Sequence, residues 1–450
     1  MKLSVRARER LAQAFVEAIE AELAELDEET VRFAELEAAV ELAQRRAGAS
    51  ALGTVVAEFG SGYQGPSRPC ACGGVQTTDH YATCRRQTVL GAIRVRRAAY
   101  RCTTCGRHEC PLDTELGVPA GRTSQRLRAR LSLFSAVAPF AEAVHLLATA
   151  TGVPVCAQSA QLLSETLGEQ VAAATAVADP VPLAAPPRRL YLGVDGVHYC
   201  STEREVTGKL AWKEAKVAVC YEPKWPGAPG TGRRSTLAPD GRPSAVADPR
   251  SHRYVVQMGT WHDLATKVWH EGQRRGLEQA AEIIVLGDGA PWIRSLVAEI
   301  LTALPGRVTQ MLEVRHAEQH LWTVASACLG TEAGAWLPHP LDDLHQGRVA
   351  HLIAAIRTLP AATAEAAQAI TAATGSFEER ADLMAYPTFR ARGLQIGSGL
   401  AESACKRLVC QRSKGPGMHW TVAGAQAIAT LRAAHLSHRW DEVEAIAAAA

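Results

Sequence analysis

The order of apolar and polar residues divides the chain into helical and β-type regions. Across residues 4–48, apolar side chains recur at spacings of three and four, as on one face of a helix. These positions are Leu11, Phe15, Ile19, Leu23 and Leu26, followed by Val31, Leu36 and Val40. The pattern predicts a helical arm over residues 1–50, a hairpin or coiled coil that serves either dimerisation or packing onto the rest of the chain.

Residues 66–113 change to a β-type pattern. Polar and apolar residues alternate from Arg86 to Tyr100 around Gly91, which predicts a β-hairpin. The cysteines that flank this run are Cys70 and Cys72 on one side and Cys102 and Cys105 on the other. Because a hairpin would bring the two thiolate pairs together, this region predicts a zinc-ribbon-like module with one structural Zn²⁺.

The clustering of cysteines in this region supports a metal site rather than a disulfide framework. Six of the 12 cysteines crowd between Cys70 and Cys110, in a chain with no recognisable export signal. The first pair has only one intervening residue, so Cys84 or Cys110 is an alternative to one of its members. Arginines on the hairpin are candidate phosphate contacts, namely Arg94, Arg96, Arg97 and Arg101.

Residues 123–174 read helix, helix, short turn, helix. The turn contains Gly152, and such an arrangement is typical of a helix-turn-helix that places its last helix in the major groove. Gln158, Ser159 and Gln161 would then face the bases. The alternative is a plain helical bundle, because this helix carries no Lys or Arg.

After a proline-rich linker at 175–189, strands and helices alternate. The pattern predicts strands at 190–199, 212–221 and 253–259 with a Pro/Gly-rich loop at 223–251, a helix at 262–280, a strand ending at Asp288, a helix at 291–303, a strand at 308–314 and a helix from His316. Three meandering strands followed by alternating helices and strands predict an α/β, RNase H-like catalytic core. We assign this core to 190–316 and 396–440, interrupted by an all-helical insertion at 317–395.

Composition narrows the class of protein. The chain has 450 residues, 47% hydrophobic and 21% charged, which is typical of a folded, multidomain protein, and the net charge of +2 is only weakly basic. No apolar run approaches the length of a membrane span, and the N-terminus has no signal-peptide segment. We therefore expect a cytoplasmic, nucleoid-associated protein.

Three acidic residues are the candidate catalytic site. Asp195 lies inside an apolar strand, Asp288 ends a second one, and Glu402 opens a helix after the glycine-rich segment 396–399. Three converging carboxylates suit two Mg²⁺ or Mn²⁺ ions, which can activate the attacking oxygen and stabilise the leaving oxygen of a phosphodiester. His316 is the fourth candidate, as a hydrogen-bond donor to the scissile phosphate or to a ligand carboxylate.

A basic stretch follows the third acid. Its residues are Lys406, Arg407, Arg412 and Lys414, with Trp420 close behind. This set is suited to phosphate contacts and base stacking near the cut, although a solvated basic face would have the same sequence.

Several motifs together resemble the ISKra-type insertion-sequence transposases of bacteria, distant relatives of the Mutator-like group. They are Val194-Asp-Gly196, Gly287-Asp-Gly-Ala-Pro-Trp292, His316-Ala-Glu-Gln-His-Leu-Trp322, Arg390-Ala-Arg-Gly-Leu-Gln-Ile-Gly-Ser-Gly399 and Glu402-Ser-Ala-Cys-Lys406. The resemblance implies a DDE transposase in which Asp195, Asp288 and Glu402 bind two Mg²⁺, with the helical insertion as a family trait. One departure is Glu313, where the family usually has an Asp.

The leading hypothesis is a DNA transposase that binds the terminal inverted repeats of its element, cleaves a strand and transfers the resulting 3′-hydroxyl to target DNA. Its partners would be double-stranded element ends and target DNA, and it would act as a homodimer or higher oligomer on DNA. Two alternatives remain open. One is an RNase H-like nuclease without strand transfer, and the other is a non-catalytic DNA-binding regulator derived from a transposase.

Overall fold

The computed structural model describes residues 2–118, 121–177, 185, 187–224, 246–397 and 399–449. The chain forms two compact units, one of Met1–Gln170 with Trp440–Ala450 and one of Val171–Arg439. Most of the predicted linker, the centre of the 223–251 loop and Ser398 lie outside the described residues. No helix in the described part of the chain has the length and apolar character needed to cross a membrane.

The described elements form a mixed α/β protein. The helices are α1 (Val5–Leu23), α2 (Phe33–Ala57), α3 (Pro111–Leu116), α4 (Gln125–Val137), α5 (Phe140–Thr151), α6 (Ala157–Val177), α7 (Trp261–Arg274), α8 (Pro291–Ala303), α9 (Val314–Leu329), α10 (Ala333–Trp336), α11 (Pro338–His345), α12 (Val349–Arg357), α13 (Ala364–Glu379), α14 (Tyr386–Ala391), α15 (Leu400–Cys405), α16 (Gln411–Ser413), α17 (Val422–Leu436) and α18 (Trp440–Ala449). The strands are β1 (Ser67–Pro69), β2 (Val75–Thr88), β3 (Gly91–Cys102), β4 (His108–Glu109), β5 (Arg189–Arg204), β6 (Leu210–Tyr221), β7 (Pro223–Lys224), β8 (Val246–Ala247), β9 (Arg253–Met258), β10 (Glu282–Gly287) and β11 (Val308–Leu312).

The N-terminal arm is a helical pair, as its periodicity predicts. Helices α1 and α2 pack together, and the residues they bury are alanines, which let two helices approach closely. These are Ala7, Ala39, Ala43 and Ala47. The larger apolar side chains of the pattern stay between 37% and 41% exposed at Phe15, Leu23, Leu36 and Val40. Dimerisation through this arm remains a prediction.

The predicted hairpin is the centre of a four-stranded sheet in the order β1-β2-β3-β4. Strands β2 and β3 pair antiparallel down to a turn at Gly91, whose φ of 116° favours a residue without a side chain. Near this turn, Cys84, Ile93 and Val95 are buried against α2 and α3. The hairpin is therefore held at its tip by apolar packing and at its other end by the cysteines.

Helices α4, α5 and α6 match the three predicted between 123 and 174. The Ser124 hydroxyl caps α4 by accepting from the Leu127 N–H at 3.2 Å, and Gly152 ends α5 with φ 69°. The apolar stripes meet in one core made by Leu127, Leu131, Leu147, Val153 and Ala160.

The second unit contains a five-stranded sheet in the order β11-β10-β5-β6-β9. Strands β5, β6 and β9 are antiparallel neighbours, whereas β10 and β11 run parallel to β5. The strands β5, β6, β9, β10 and β11 match those that the alternation predicted. Apolar residues of β5 and β10 pack with helices α7 and α8 in the main core, which includes Leu192, Val285, Leu264 and Leu296.

Helix α17 packs along the edge of the sheet, against β9. The Gln426 side chain accepts from the Met258 N–H at 2.8 Å and donates to the Val256 carbonyl at 3.2 Å. The Ser437 hydroxyl accepts from the Tyr254 N–H at 2.9 Å. Because an open strand edge would pair with other chains, these side chains both satisfy and protect β9.

The region predicted as an all-helical insertion is helical in the structure. It contains α10 to α14 and packs α13 against α9, with Phe377 and Leu344 fully buried. Arg380 donates from Nε to the Gly289 carbonyl at 2.8 Å, and Arg294 pairs with Asp382 at 2.8 Å. The insertion is therefore anchored to the loop that follows β10 and to α8.

Candidate functional site

Two of the predicted acids are set by adjacent parallel strands. Gly287, the last residue of β10, pairs in register with Val194 of β5. Asp288 follows Gly287 and Asp195 follows Val194. The two aspartates therefore occupy matching positions along the neighbouring strands. The Asp288 carboxylate accepts from the Ala290 N–H at 2.8 Å, which orients it at the start of the loop into α8.

The Asp195 carboxyl group lies in a strongly perturbing environment. It is 8% exposed, and its Oδ1 accepts from the Gly196 N–H at 2.7 Å. Burial raises its pKa, and the Asp288 charge raises it further, whereas the Gly196 hydrogen bond and the His316 ring lower it. The Asp195, Asp288 and His316 side chains therefore act on one another electrostatically.

Glu402 reaches the same region from helix α15. That helix begins after Gly399, which has φ 56°. Helix α15 packs on β5, the strand that carries Asp195, and a Cβ added at Gly193 would meet the Ala401 Cβ at 3.4 Å, an ordinary van der Waals contact. The Glu402 carboxylate is half-exposed and pairs with Lys406 at 2.7 Å, and this hydrogen bond lowers its pKa.

The structure gathers these residues without closing a carboxylate cluster. His316 is close enough to affect the pKa of both Asp195 and Glu402. Among the described residues, the three acids do not form a group whose ligand atoms all lie within 4.8 Å of one another. The carboxylate of Glu402 instead faces Lys406.

Helix α9 begins two residues earlier than its sequence pattern indicates. Its first residue is Val314, so Glu313 occupies the N-cap position and His316 lies in the first turn. Glu313 is buried, and its Oε2 lies 3.6 Å from His316 Nε2. His320, one turn further along, packs edge-on against Phe377, and burial lowers its pKa.

The structure adds a neighbour that the sequence did not single out. Burial raises the pKa of the Cys405 thiol, and the charge of the neighbouring Asp195 raises it further. Directly after Cys405, residues Lys406–Cys410 form a π-helical turn. Such turns often occur at functional sites. The motif Glu402-Ser-Ala-Cys-Lys406 could have indicated this neighbour. Cys405 and Lys406 lie three and four residues after Glu402, and on a helix such residues share one face.

The predicted basic stretch is divided between surface and interior. Lys406, Arg407 and Lys414 are exposed. Arg412 is 1% exposed and lies over the ring of Trp420, which is 6% exposed, at 4.8 Å. Because a DNA contact needs an accessible group, the expectation that Arg412 and Trp420 touch DNA does not fit this arrangement. The two side chains are instead buried against each other in a cation–π contact.

The four predicted zinc ligands lie together in the first unit. All four sulfur atoms are within 4.8 Å of one another. The Sγ atoms of Cys70 and Cys105 are 3.8 Å apart, and those of Cys72 and Cys102 are 3.6 Å apart. Tetrahedral zinc with Zn–S bonds of about 2.3 Å places its sulfurs about 3.8 Å apart. The quartet could therefore bind zinc in its present geometry.

The backbone around Cys102 also suits a thiolate. The Thr104 and Cys105 N–H groups point at Cys102 Sγ at 3.4 and 3.5 Å. The Cys105 hydrogen bond, joined by that of Thr104, lowers the pKa of Cys102 to about 6. The alternative ligands lie elsewhere, since Cys84 is in the apolar cluster near the hairpin tip and Cys110 occupies the N-cap position of α3.

The predicted DNA-reading residues lie at the start of α6. Gln158 and Gln161 are exposed, whereas Ser159 is half-buried and bonded to Cys156 at 3.1 Å. Gln161 also donates to Glu165 at 2.9 Å. The two glutamines are thus accessible for contacts, and base reading by this helix remains a prediction.

The hairpin carries a basic face that differs from the set inferred from sequence. Arg94 and Arg96 are exposed, and Arg85, which the sequence analysis passed over, pairs in register with Arg94. The Arg96 guanidinium lies over the exposed Tyr81 ring at 4.3 Å. Arg97 is instead paired with Asp113. Two arginines directly opposite each other repel, so this pairing costs stability unless an anion lies between them.

Comparisons with known proteins do not assign the chain to a family. No family model matches the chain, and no curated protein matches its sequence. Among solved structures, the chain is similar to the Drosophila P element transposase strand transfer complex, with a TM-score of 0.24 and 8% identity over 65% of this chain. The match spans about 65% of the length of that chain. A likeness this low carries no argument about fold or function.

Proposed function

We propose that this protein is a metal-dependent DNA transposase whose second unit has an RNase H-like catalytic core. The observation that carries the proposal is the placement of Asp195 and Asp288 at matching positions of two parallel strands, with the helix of Glu402 packed on the first of them. The strand order, with three antiparallel strands followed by two parallel ones, supports the same core. The motifs that resemble ISKra-type transposases extend over this region.

Asp195, Asp288 and Glu402 would hold two Mg²⁺ or Mn²⁺ ions, because the donor set is three carboxylates and hard divalent cations prefer oxygen. When bound, the ions would activate the attacking oxygen and stabilise the leaving one. The pair of Glu402 with Lys406 must open for this carboxylate to become a ligand. The exposed Lys406 would then be released toward a DNA phosphate.

The proposed reaction has two phosphoryl-transfer steps. In the first, water attacks a phosphodiester at the element end, and the broken P–O bond leaves a free 3′-hydroxyl. In the second, that hydroxyl attacks a phosphodiester of the target, so one bond forms as another breaks. His316, in the first turn of α9 beside Asp195, would donate a hydrogen bond to the scissile phosphate or to a ligand carboxylate.

The first unit would recognise the DNA. We assign base contacts to Gln158 and Gln161 on α6, and phosphate contacts to Arg85, Arg94 and Arg96 on the hairpin. Phosphate contacts contribute affinity without sequence preference, whereas base contacts contribute preference. Zinc on the cysteine quartet would fix the end of the hairpin, and the predicted homodimer or higher oligomer would pair two element ends.

The experiment is cleavage and joining of labelled DNA ends taken from the flanks of the gene, with Mg²⁺. Asp195→Asn, Asp288→Asn and Glu402→Gln should each lower cleavage and joining together by about a thousandfold or more, because each removes a charge that the cations need. End binding should not change. The control is Glu379→Gln, an exposed acid of the insertion, which should cleave normally.

The same assay separates the alternatives. Cleavage without any joined product would identify a nuclease without strand transfer. Binding without cleavage in Mg²⁺ or Mn²⁺ would favour a DNA-binding regulator. If Glu402→Gln is active while Glu379→Gln is inactive, the third ligand belongs to the insertion and the assignment of Glu402 is wrong.

Recognition is tested with two sets of substitutions in the full-length protein. Gln158→Ala with Gln161→Ala should abolish the preference for element ends over random DNA. Arg85→Ala with Arg94→Ala should weaken binding to both kinds of DNA equally and lower the salt dependence. A loss of preference in the arginine variant alone would reverse these assignments.

A further inference from the structure

Glu313 lies where three parts of the candidate site meet. It follows the last residue of β11 and occupies the N-cap position of α9. Its side chain is only 3% exposed. Burying a carboxylate costs folding free energy unless charged or hydrogen-bonding partners compensate for the lost water. The partners of Glu313 therefore show what an acidic residue does at this position.

The contacts of Glu313 reach each of those parts. Its backbone N–H donates to the Gly287 carbonyl at 2.9 Å, immediately before Asp288. Its Oε1 accepts from the Gly399 N–H at 2.7 Å, at the residue that caps the Glu402 helix. Its Oε2 faces His316 Nε2 at 3.6 Å. One residue thus links the strand end of Asp288, the helix start of Glu402 and the His316 ring.

The glycine-rich segment before Glu402 is shaped for this contact. The Val314 N–H donates to the Ile396 carbonyl at 3.1 Å. The Val314 backbone therefore holds Ile396, and the side chain of the neighbouring Glu313 holds Gly399. A side chain at Gly397 would lie 2.9 Å from Val314 Cγ1 and 3.8 Å from Glu313 Cγ. The glycine is therefore needed for the segment to pass this close to α9.

We propose that Glu313 is a positioning residue, a clamp on the Gly399 backbone and the His316 ring that keeps the start of the Glu402 helix and His316 beside Asp195 and Asp288. This inference rests on the proposed function, since it assigns the clamp to the same site. The longer arm of Glu reaches Gly399 across the start of α9. That reach gives a physical reason for Glu at a position where the resembled family usually has Asp.

A first experiment measures the clamp without reference to activity. Amide hydrogen exchange is followed for peptides containing Gly399 and Leu400 in the full-length protein. Glu313→Ala should accelerate their exchange on the order of tenfold, equivalent to about 1.4 kcal/mol, because the Gly399 N–H loses its acceptor. Glu313→Gln retains an acceptor oxygen and should exchange nearly as slowly as the wild type.

The matched control separates the clamp from a general loss of stability. Leu321→Ala removes a fully buried side chain from the same helix and should lower the melting temperature at least as much. It should leave the Gly399 peptide protected under native conditions. If Glu313→Ala exchanges no faster than the wild type, or if Leu321→Ala has the same local effect, the clamp does not exist.

A second experiment tests its consequence for the site. In DNA cleavage, Glu313→Ala should raise the Mg²⁺ concentration for half-maximal rate by about tenfold and lower kcat, with KM for DNA unchanged. Glu313→Gln should recover most of the Mg²⁺ response. A Gln variant as inactive as Asp195→Asn, with normal exchange, would make Glu313 a metal ligand and overturn the positioning role.

Failure of the proposed function would look different. A wild-type protein that cleaves no DNA under any divalent cation refutes the transposase proposal, while the exchange experiment still decides whether Glu313 holds the segment. Faster exchange in Glu313→Ala with unchanged kcat and Mg²⁺ dependence would overturn the positioning role alone.

Discussion

Replacing Cys102 tests the proposed zinc module most directly. Cys102 supplies one of four sulfurs whose separations of 3.6 and 3.8 Å suit tetrahedral zinc, and it also accepts hydrogen bonds from two backbone N–H groups. Cys102→Ser keeps the size of the side chain but removes a soft ligand. We expect zinc content to fall well below one atom per chain, because the site loses one of the four thiolates that close a structural zinc site.

The size of the effect follows from comparing two energies. Structural zinc contributes about 10–16 kcal/mol in small zinc-finger peptides, while the net stability of a whole domain is about 5–15 kcal/mol. Losing the metal should therefore unfold the turns that carry the cysteines. The hairpin tip should survive, because Ile93 and Val95 are buried against α2 and α3, at roughly 1.5–3 kcal/mol for each side chain.

The assay combines elemental analysis with amide hydrogen exchange. Peptides around residues 70–78 and 100–107 should lose about a hundredfold in protection, while those around 84–95 change little. Cys110→Ser is the matched control, since Cys110 caps α3 and belongs to the same cysteine-rich region without joining the quartet. Retention of one zinc by Cys102→Ser, or its loss in Cys110→Ser, would refute the ligand assignment.

Three further predictions concern the second unit. Burial raises the pKa of Asp195, so its ionised form costs stability once the pH exceeds its unfolded value; Asp195→Asn should raise the melting temperature at pH 8, and the gain should disappear toward pH 4. No gain at pH 8 would contradict this assignment. Burial lowers the pKa of His252 from 6.5 to about 4, so wild-type stability should be lost as the pH falls through this window. At 1.36 kcal/mol per pH unit the loss is at most about 3.4 kcal/mol. His252→Gln should flatten that acid dependence in urea unfolding, and an unchanged slope would show that another group causes it. Arg412→Ala should lower the unfolding free energy by about 2–4 kcal/mol, because it empties the space over Trp420, and should leave DNA affinity unchanged for folded protein. A selective loss of DNA affinity would restore Arg412 as a DNA contact.

Periodicity was sufficient for most helices and strands because each element buries one face. The alternation around Gly91 and the apolar runs that end near Asp195 and Asp288 are local patterns, and the structure has strands there. The ends of elements depend on contacts from elsewhere in the chain. Helix α9 begins at Val314 rather than His316, and the buried Glu313 occupies its N-cap position. The Glu313 carboxylate accepts a hydrogen bond from the N–H of Gly399, a residue far away in the sequence.

Side-chain roles depended more on distant parts of the chain. Arg412 and Lys414 are two residues apart and both carry a positive charge, yet Arg412 is covered by Trp420 and Lys414 is exposed. On the hairpin, Asp113 engages Arg97, while the strand register places Arg85 opposite Arg94. Sequence alone could not separate these arginines, because neither burial nor cross-strand pairing is a local property.

The sequence by itself determined the candidate chemistry: three carboxylates beside buried strands, two cysteine pairs flanking a hairpin, and a histidine near a strand end. Residue type and local period are enough for that, because ligand preference and strand formation are local properties. Only the tertiary structure decided which cysteines join the quartet, placed Asp195 beside Asp288, and made Glu313 the link to Gly399. These are relations between residues far apart in the chain, and strand register and buried contacts between them exist only once the chain has folded.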